Sequence, residues 1–153
     1  MKPKLLVSAC LLGTPCRYDG KSKKNEAVCA LAERFELIPV CPEVLGGLPT
    51  PRTPSERRGA CVVRKDGRDV TAEYRRGAEC ALETARRECV LAAVLKERSP
   101  SCGSGEIYDG TFTGALTAGD GVTAELLKAN GITVYGEGEQ SLTEFLCSVS
   151  HST

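Results

Sequence analysis

The chain has 153 residues, the size of one domain and enough to bury a core without disulfides or a structural metal. Hydrophobic residues make up 41% and charged residues 26%, an ordinary globular balance, and 20 basic side chains cancel 20 acidic ones, leaving no general electrostatic footprint for nucleic acid. The longest apolar run, Cys89–Leu95, is far too short to span a bilayer, and the N-terminal MKPKLLVSACLLG reads as a strand rather than a signal peptide, so a cytoplasmic protein without membrane contact is expected.

Lys4–Cys10 reads as a buried first strand, followed by the loop LLGTPCRYDGKSKK with its Gly, Pro and Asp-Gly signals. From Asn25 to Arg34 the apolar residues Val28, Leu31 and Ala32 recur at helical spacing, and Glu36–Cys41 is a second strand. Between Pro42 and Gly59, four prolines and three glycines predict a long irregular loop of the kind that carries function. Cys61–Val70 predicts a hairpin turning at Asp66-Gly67. Thr71 is the expected N-cap of a helix to Glu88, with Tyr74, Ala78, Ala81 and Ala85 on one face. Cys89–Leu95 is the third strand, and Glu97–Gly121 a second long glycine-rich stretch. A short helix over Val122–Ala129 closes at Asn130-Gly131, Ile132–Tyr135 is the fourth strand, and Ser141–Val149 a last helix before a frayed tail.

Strands alternating with helices imply a parallel sheet covered on both faces. The predicted fold is a three-layer αβα sandwich with a mostly parallel, Rossmann-like sheet of about four core strands plus a small hairpin. Residues 1–140 form the single catalytic domain of this reading, with 141–153 as C-terminal helix and tail. Right-handed crossovers place every loop after a strand at one edge, where ligands of parallel sheets bind.

Nine cysteines in a reducing compartment call for a role other than disulfides. Cys29, Cys61, Cys80, Cys89 and Cys147 read as small packing hydrophobes. Cys10, Cys41 and Cys102 differ: each ends a predicted strand or lies just beyond one, with Cys10 ahead of a glycine-containing turn, Cys41 followed by Pro42 and Cys102 flanked by Pro100 and Gly103. Three thiols gathered at one sheet edge point to a soft-metal or iron–sulfur site. Cys16, on the same loop as Cys10, is a fourth candidate. Four thiolates would close a metal's coordination, whereas three leave a corner open for substrate, and the reading favours three, with Cys16 packing behind them. No CxxC pair occurs, which disfavours a zinc ribbon or a thioredoxin-like motif.

Taken together, SACLLGTPCRYDG, VCPEVLGGLPTPR and KERSPSCGSGEIYDGTFTG resemble the family once called domain of unknown function 523, which includes thiouracil desulfidases. The resemblance runs from about residue 4 to residue 136, and the three motifs in that order are specific. It implies an enzyme with a [4Fe–4S] cluster held by Cys10, Cys41 and Cys102, Cys16 being the alternative to Cys41, and one open iron that binds the sulfur of a thiolated pyrimidine. It implies Glu43 and Ser101 as the catalytic pair.

The chemistry agrees. Exchanging C=S for C=O needs no net electrons, only a thiophilic metal and a base for water, and the one histidine, His151, sits in the tail. Glu43 is the carboxylate placed for that task, and Ser101 would relay a proton or bond the pyrimidine. Arg52 and Glu56 either bind substrate or pair with each other, while Tyr108, Asp109 and Thr111 line the pocket or form a turn. The arginine pairs at 57–58, 75–76 and 86–87 read as solvated faces. Two other classes are a non-catalytic iron–sulfur or metal-binding protein and a thiol enzyme transferring persulfide sulfur. Expected partners are a small thiolated pyrimidine, with thiolated transfer RNA as a substrate variant, and the chain is expected to be a monomer or weak homo-oligomer.

Overall fold

The structure, a computed structural model, describes residues 2–150; the tail with His151 lies outside the described residues. Four strands form one parallel sheet: β1 (Lys4–Ser8), β2 (Glu36–Val40), β5 (Ala92–Leu95) and β8 (Val134–Gly136), in the order β2-β1-β5-β8. Leu5 faces Leu37 on one side and Ala92 on the other, and Ala93 pairs with Val134. Leu5, Leu6 and Val7 of β1 and Ala93, Val94 and Leu95 of β5 are fully buried, as central parallel strands require. Pro39, which cannot donate to a ladder, lies in β2 at the sheet edge.

Alternation along the central strands makes two cores. Leu5, Val7, Ala92 and Val94 pack with Val28 of α1 (Glu26–Ala30) and with Leu142 and Phe145 of α5 (Glu139–Ser150). Phe35 and Phe145 meet there with ring centroids 5.3 Å apart. Leu6, Ala93 and Leu95 pack on the opposite face with Ala81, Leu82 and Ala85 of α3 (Thr71–Glu88) and Leu127 of α4 (Val122–Ala129). These are the three layers expected from the sequence. Among the described residues no helix is long and apolar enough to cross a membrane.

Several boundaries differ from expectation. The irregular segment after β2 holds a helix, α2 (Pro42–Leu45), with proline at its first position, where a missing N–H costs nothing. The expected hairpin at Asp66-Gly67 does turn there, with Gly67 N donating to Arg64 O at 2.8 Å, but it carries only an isolated bridge from Val63 to Asp69. The ladder lies upstream, between β3 (Ser55–Arg58) and β4 (Cys61–Arg64), across Gly59 at φ +58°. The second glycine-rich stretch holds another hairpin, β6 (Glu106–Tyr108) with β7 (Leu116–Ala118). Thr71 is the first residue of α3 rather than its cap: Asp69 Oδ1 accepts from Thr71 N at 2.8 Å, while Thr71 Oγ1 accepts from Val62 N.

The third strand begins at Ala92, because α3 must first end. Cys89 takes the left-handed position at φ 53° that terminates the helix, and Val90 N bonds Ala85 O. Cys89 is therefore exposed, as are Cys61 and Cys147, so these three are not core residues; Cys29 and Cys80 are half-buried.

Candidate functional site

In sheet order the strands run second, first, third, fourth, so the chain reverses direction between β1 and β5. That is the topological switch point, where the loops leaving neighbouring strands diverge and open a crevice. A cavity of about 620 Å³ lies there. Cys10, Cys16, Cys41 and Cys102 all line it, together with Glu43, Arg52 and Tyr74.

Each thiol is set by local structure. Cys10 lies not in β1 but in the single 3-10 turn that follows, Ala9–Leu12, which Gly13 ends at φ 102°. Cys41 is the extended residue ahead of α2, and its thiol donates to the Cys16 carbonyl at 3.8 Å. Cys102 follows β5 in the turn Ser99–Gly103, where Ser99 Oγ accepts from the N–H groups of Ser101 and Cys102. The N-terminus of α4 locks that turn: Val122 N donates to Pro100 O and Thr123 N to Ser101 O. Gly121 is needed for this approach, since a Cβ there would lie 2.4 Å from Ser101 C.

The thiols interact with one another. Cys16 is raised above the ordinary thiol range, chiefly by its hydrogen bond with Cys10 and against one with Cys41. Cys41 is raised strongly by its bond with Cys16 and then by burial. Burial pushes Cys102 up to about 12, against the hydrogen-bonding pull of Ser8 and, more weakly, Ser101. Ser8, the last residue of β1, also accepts from Lys96 N at 2.8 Å and so ties the two strands of the switch point together.

Glu43 stands on the first turn of α2, which packs directly against the backbone of α3. A Cβ on Gly77 would come 1.8 Å from Pro42 O, and one on Gly46 would come 2.0 Å from Glu73 O. Two glycines thus set how closely the carboxylate can be held. Arg52 Nε donates to Glu43 Oε2 at 2.8 Å, and Nη2 bonds the same oxygen. The guanidinium also bonds Cys16 O, Pro49 O and Thr50 Oγ1. Arg52 therefore pairs with Glu43, and the alternative pairing with Glu56 does not occur. Glu56 Oε1 instead accepts from the N–H groups of Gly110 and Phe112.

Ser101 is fully buried, with Oγ 2.8 Å from Thr123 Oγ1, and it does not line the cavity. Tyr108 lines the cavity, whereas Asp109 and Thr111 bond each other in a turn. Tyr74, which the sequence shows only as a core position of α3, lines it too. Burial, and next the neighbouring Glu43 carboxylate, raise its hydroxyl far above the ordinary range. Its helical spacing could not distinguish packing from function. Phe112 is also on the wall, and no periodic pattern around it in the sequence signals that position.

Among the described residues no three His, Cys, Asp or Glu side chains are placed to hold a single metal ion. The donor set is soft and spread over three loops around one cavity. That suits a polynuclear iron–sulfur cluster, in which each thiolate meets its own iron.

A doubly wound α/β domain with a thiol-lined crevice at its switch point defines the class. The chain belongs to the 2-thiouracil desulfurase family, whose model matches residues 5–139. It is 44% identical over 145 residues to the uncharacterized protein YbbK of Bacillus subtilis (strain 168), covering 88% of this chain and 96% of that one. It is also similar to the solved structure of the [4Fe-4S]-dependent thiouracil desulfidase TudS, with TM-score 0.90 and 50% identity over 97% of this chain and 99% of that one. The resemblance drawn from the three motifs is thus correct at the level of the family.

Proposed function

We propose that this protein is an iron–sulfur-dependent, non-redox desulfidase that converts the thiocarbonyl of a thiouracil-type pyrimidine to a carbonyl and releases sulfide. The observation that carries the reading is the convergence of Cys10, Cys41 and Cys102, from the loops after three adjacent parallel strands, on the cavity that Glu43 also lines. Family membership and the likeness to a [4Fe-4S]-dependent desulfidase support it.

Cys10, Cys41 and Cys102 would hold the cluster; Cys16, which lines the same cavity and hydrogen-bonds both Cys10 and Cys41, is the alternative to Cys41. When bound, the cluster supplies an iron without a protein ligand, a thiophilic Lewis acid for the substrate sulfur. Glu43 takes a proton from water as the water oxygen bonds the thiocarbonyl carbon. The carbon–sulfur bond then breaks, both electrons leave with sulfur, and the water's two protons balance the sulfide as hydrogen sulfide. No oxidant or reductant enters. Arg52 keeps the Glu43 carboxylate turned into the cavity through its two bonds to Oε2. Ser101, bonded to Thr123 and set against the Cys102 thiol, holds that ligand rather than touching substrate.

Neither Cys41 nor Cys102 has the acidity of a persulfide-transferring nucleophile. A nucleophilic cysteine needs a depressed pKa, and Cys41 and Cys102 are both raised.

The deciding experiment is anaerobic reconstitution with iron and sulfide, followed by assay of sulfide release from 2-thiouracil. Wild-type protein should turn over, and Glu43→Gln should keep its cluster absorbance while kcat falls roughly 10²–10⁴-fold. Cluster-loaded wild type that is inert towards 2- and 4-thiouracil would remove the substrate assignment; unchanged turnover in Glu43→Gln would remove the base.

A further inference from the structure

The loop between β6 and β7 is held in an unusual way. Phe112 has φ +57°, a left-handed conformation that costs a residue with a Cβ and that glycine or asparagine normally takes. It sits between Gly110 at φ +94° and Gly114 at φ +82°. What holds it there is Glu56 of β3: one carboxylate oxygen accepts from Gly110 N at 2.9 Å and from Phe112 N at 3.1 Å. Arg58 adds a bond from Nε to Gly110 O at 2.7 Å, and its guanidinium lies over the Phe112 ring, 5.9 Å from the centroid. The two hairpins are thereby clamped together, and Gly110 is packed so closely that a Cβ would meet Arg58 Cγ at 2.5 Å.

Strain maintained by a purpose-built clamp marks a side chain whose position matters. Phe112 lines the thiol cavity, while Arg58, which covers one face of the ring, does not. The ring is therefore backed on one side by a cation and presents what remains to the pocket. Flat heterocycles stack on aromatic walls of this kind, and a guanidinium behind the ring is a common companion. We propose that Phe112 is the stacking wall for the substrate's pyrimidine ring and that Glu56 is its positioning residue, acting through the backbone of the loop.

The inference rests on the proposed desulfidase reading for the identity of the ring, but its test does not depend on sulfur chemistry. Cluster-loaded protein is titrated with uracil in a calorimeter, and KM and kcat for 2-thiouracil are measured in parallel. Phe112→Gly should weaken uracil binding and raise KM roughly 5- to 100-fold with little change in kcat, while Phe112→Trp stays near wild type. Because glycine relieves the left-handed strain, Phe112→Gly should melt no lower than wild type, unlike a residue kept only for packing. Glu56→Gln retains an acceptor oxygen and should bind uracil normally. Glu56→Ala should lose uracil affinity to the same degree as Phe112→Gly, and the double variant should lose no more than either alone. Wild-type uracil affinity in Phe112→Gly, or additive losses in the double variant, would overturn the assignment. Binding that responds as expected in a protein that releases no sulfide would leave the stacking wall standing and remove only the desulfidase reading.

Discussion

Arg52 and Glu43 form a forked ion pair in which two guanidinium nitrogens bond a single carboxylate oxygen, with side chains only 7% and 14% exposed. The same guanidinium bonds the Cys16 carbonyl, to which the Cys41 thiol also donates. One arginine thus couples the proposed base to the backbone beside two thiols. Arg52→Ala would strand a largely buried carboxylate and an unpaired carbonyl. The expected cost is about 3 kcal/mol in urea denaturation, with loss of activity. Arg52→Lys keeps the charge without the fork and should fall between the two. An Arg52→Ala protein as stable and active as wild type would show the pair to be incidental.

The glycine contact between α2 and α3 makes a second prediction. Gly77→Ala sets a methyl against Pro42 O, a backbone atom that no rotamer change can move aside. Better helix propensity offsets part of the strain, and a net loss of about 1–3 kcal/mol is expected. Because α2 carries Glu43 and is entered through Cys41, its displacement should also lower iron content after reconstitution. Full iron loading in a protein of wild-type stability would contradict the contact.

Thiol reactivity follows burial. In cluster-free protein at pH 8, iodoacetamide should modify the exposed Cys61, Cys89 and Cys147 first and the cavity-lining, buried Cys10, Cys16 and Cys102 more slowly. Mass spectrometry of the labelled peptides over time checks the order. Burial pushes Cys102 up to about 12, so that thiol is protonated at pH 8 and, as a proposed cluster ligand, would have to lose its proton on binding iron. Cluster assembly should therefore release protons and slow as pH falls. Early labelling of Cys102 in folded protein would overturn this.

Acid sensitivity has an identifiable source. Asp66, Asp69, Asp109 and Asp120 are all held below the ordinary value of 3.8. The first is lowered chiefly by the Arg68 backbone N–H, and the next two by the hydroxyls of Thr71 and Thr111. In Asp120 burial works the other way and is outweighed by bonds from Lys128 and Gly105 N. For such groups the unfolded chain binds protons more tightly. Their contribution is present above about pH 4 and lost as pH falls through the lower folded values. Tm should hold near pH 5 and drop towards pH 2.5, less steeply in Asp120→Asn. A Tm that rises over that range would be inconsistent.

The amino-acid pattern by itself determined the parallel sheet and the three thiols at its edge. Short apolar runs at Leu5–Val7 and Ala92–Leu95, bounded by turn signals, read as buried central strands, and alternation with helices dictates which ends of the strands share an edge. Chemistry carried by a strand end is therefore visible in one dimension. Only the tertiary structure decided the rest of the site, since each of those features joins segments distant in sequence through a single contact. Arg52 chose Glu43 over Glu56 because α2 turns the carboxylate inward. Phe112 reached the cavity because Glu56 pins a short hairpin whose β7 residues are all exposed and so leave no periodic trace. Tyr74 joined the wall because the glycine contact brings α3 beside α2. Hydrophobic periodicity records burial on repeating elements; it does not record which polar partners meet when those elements close.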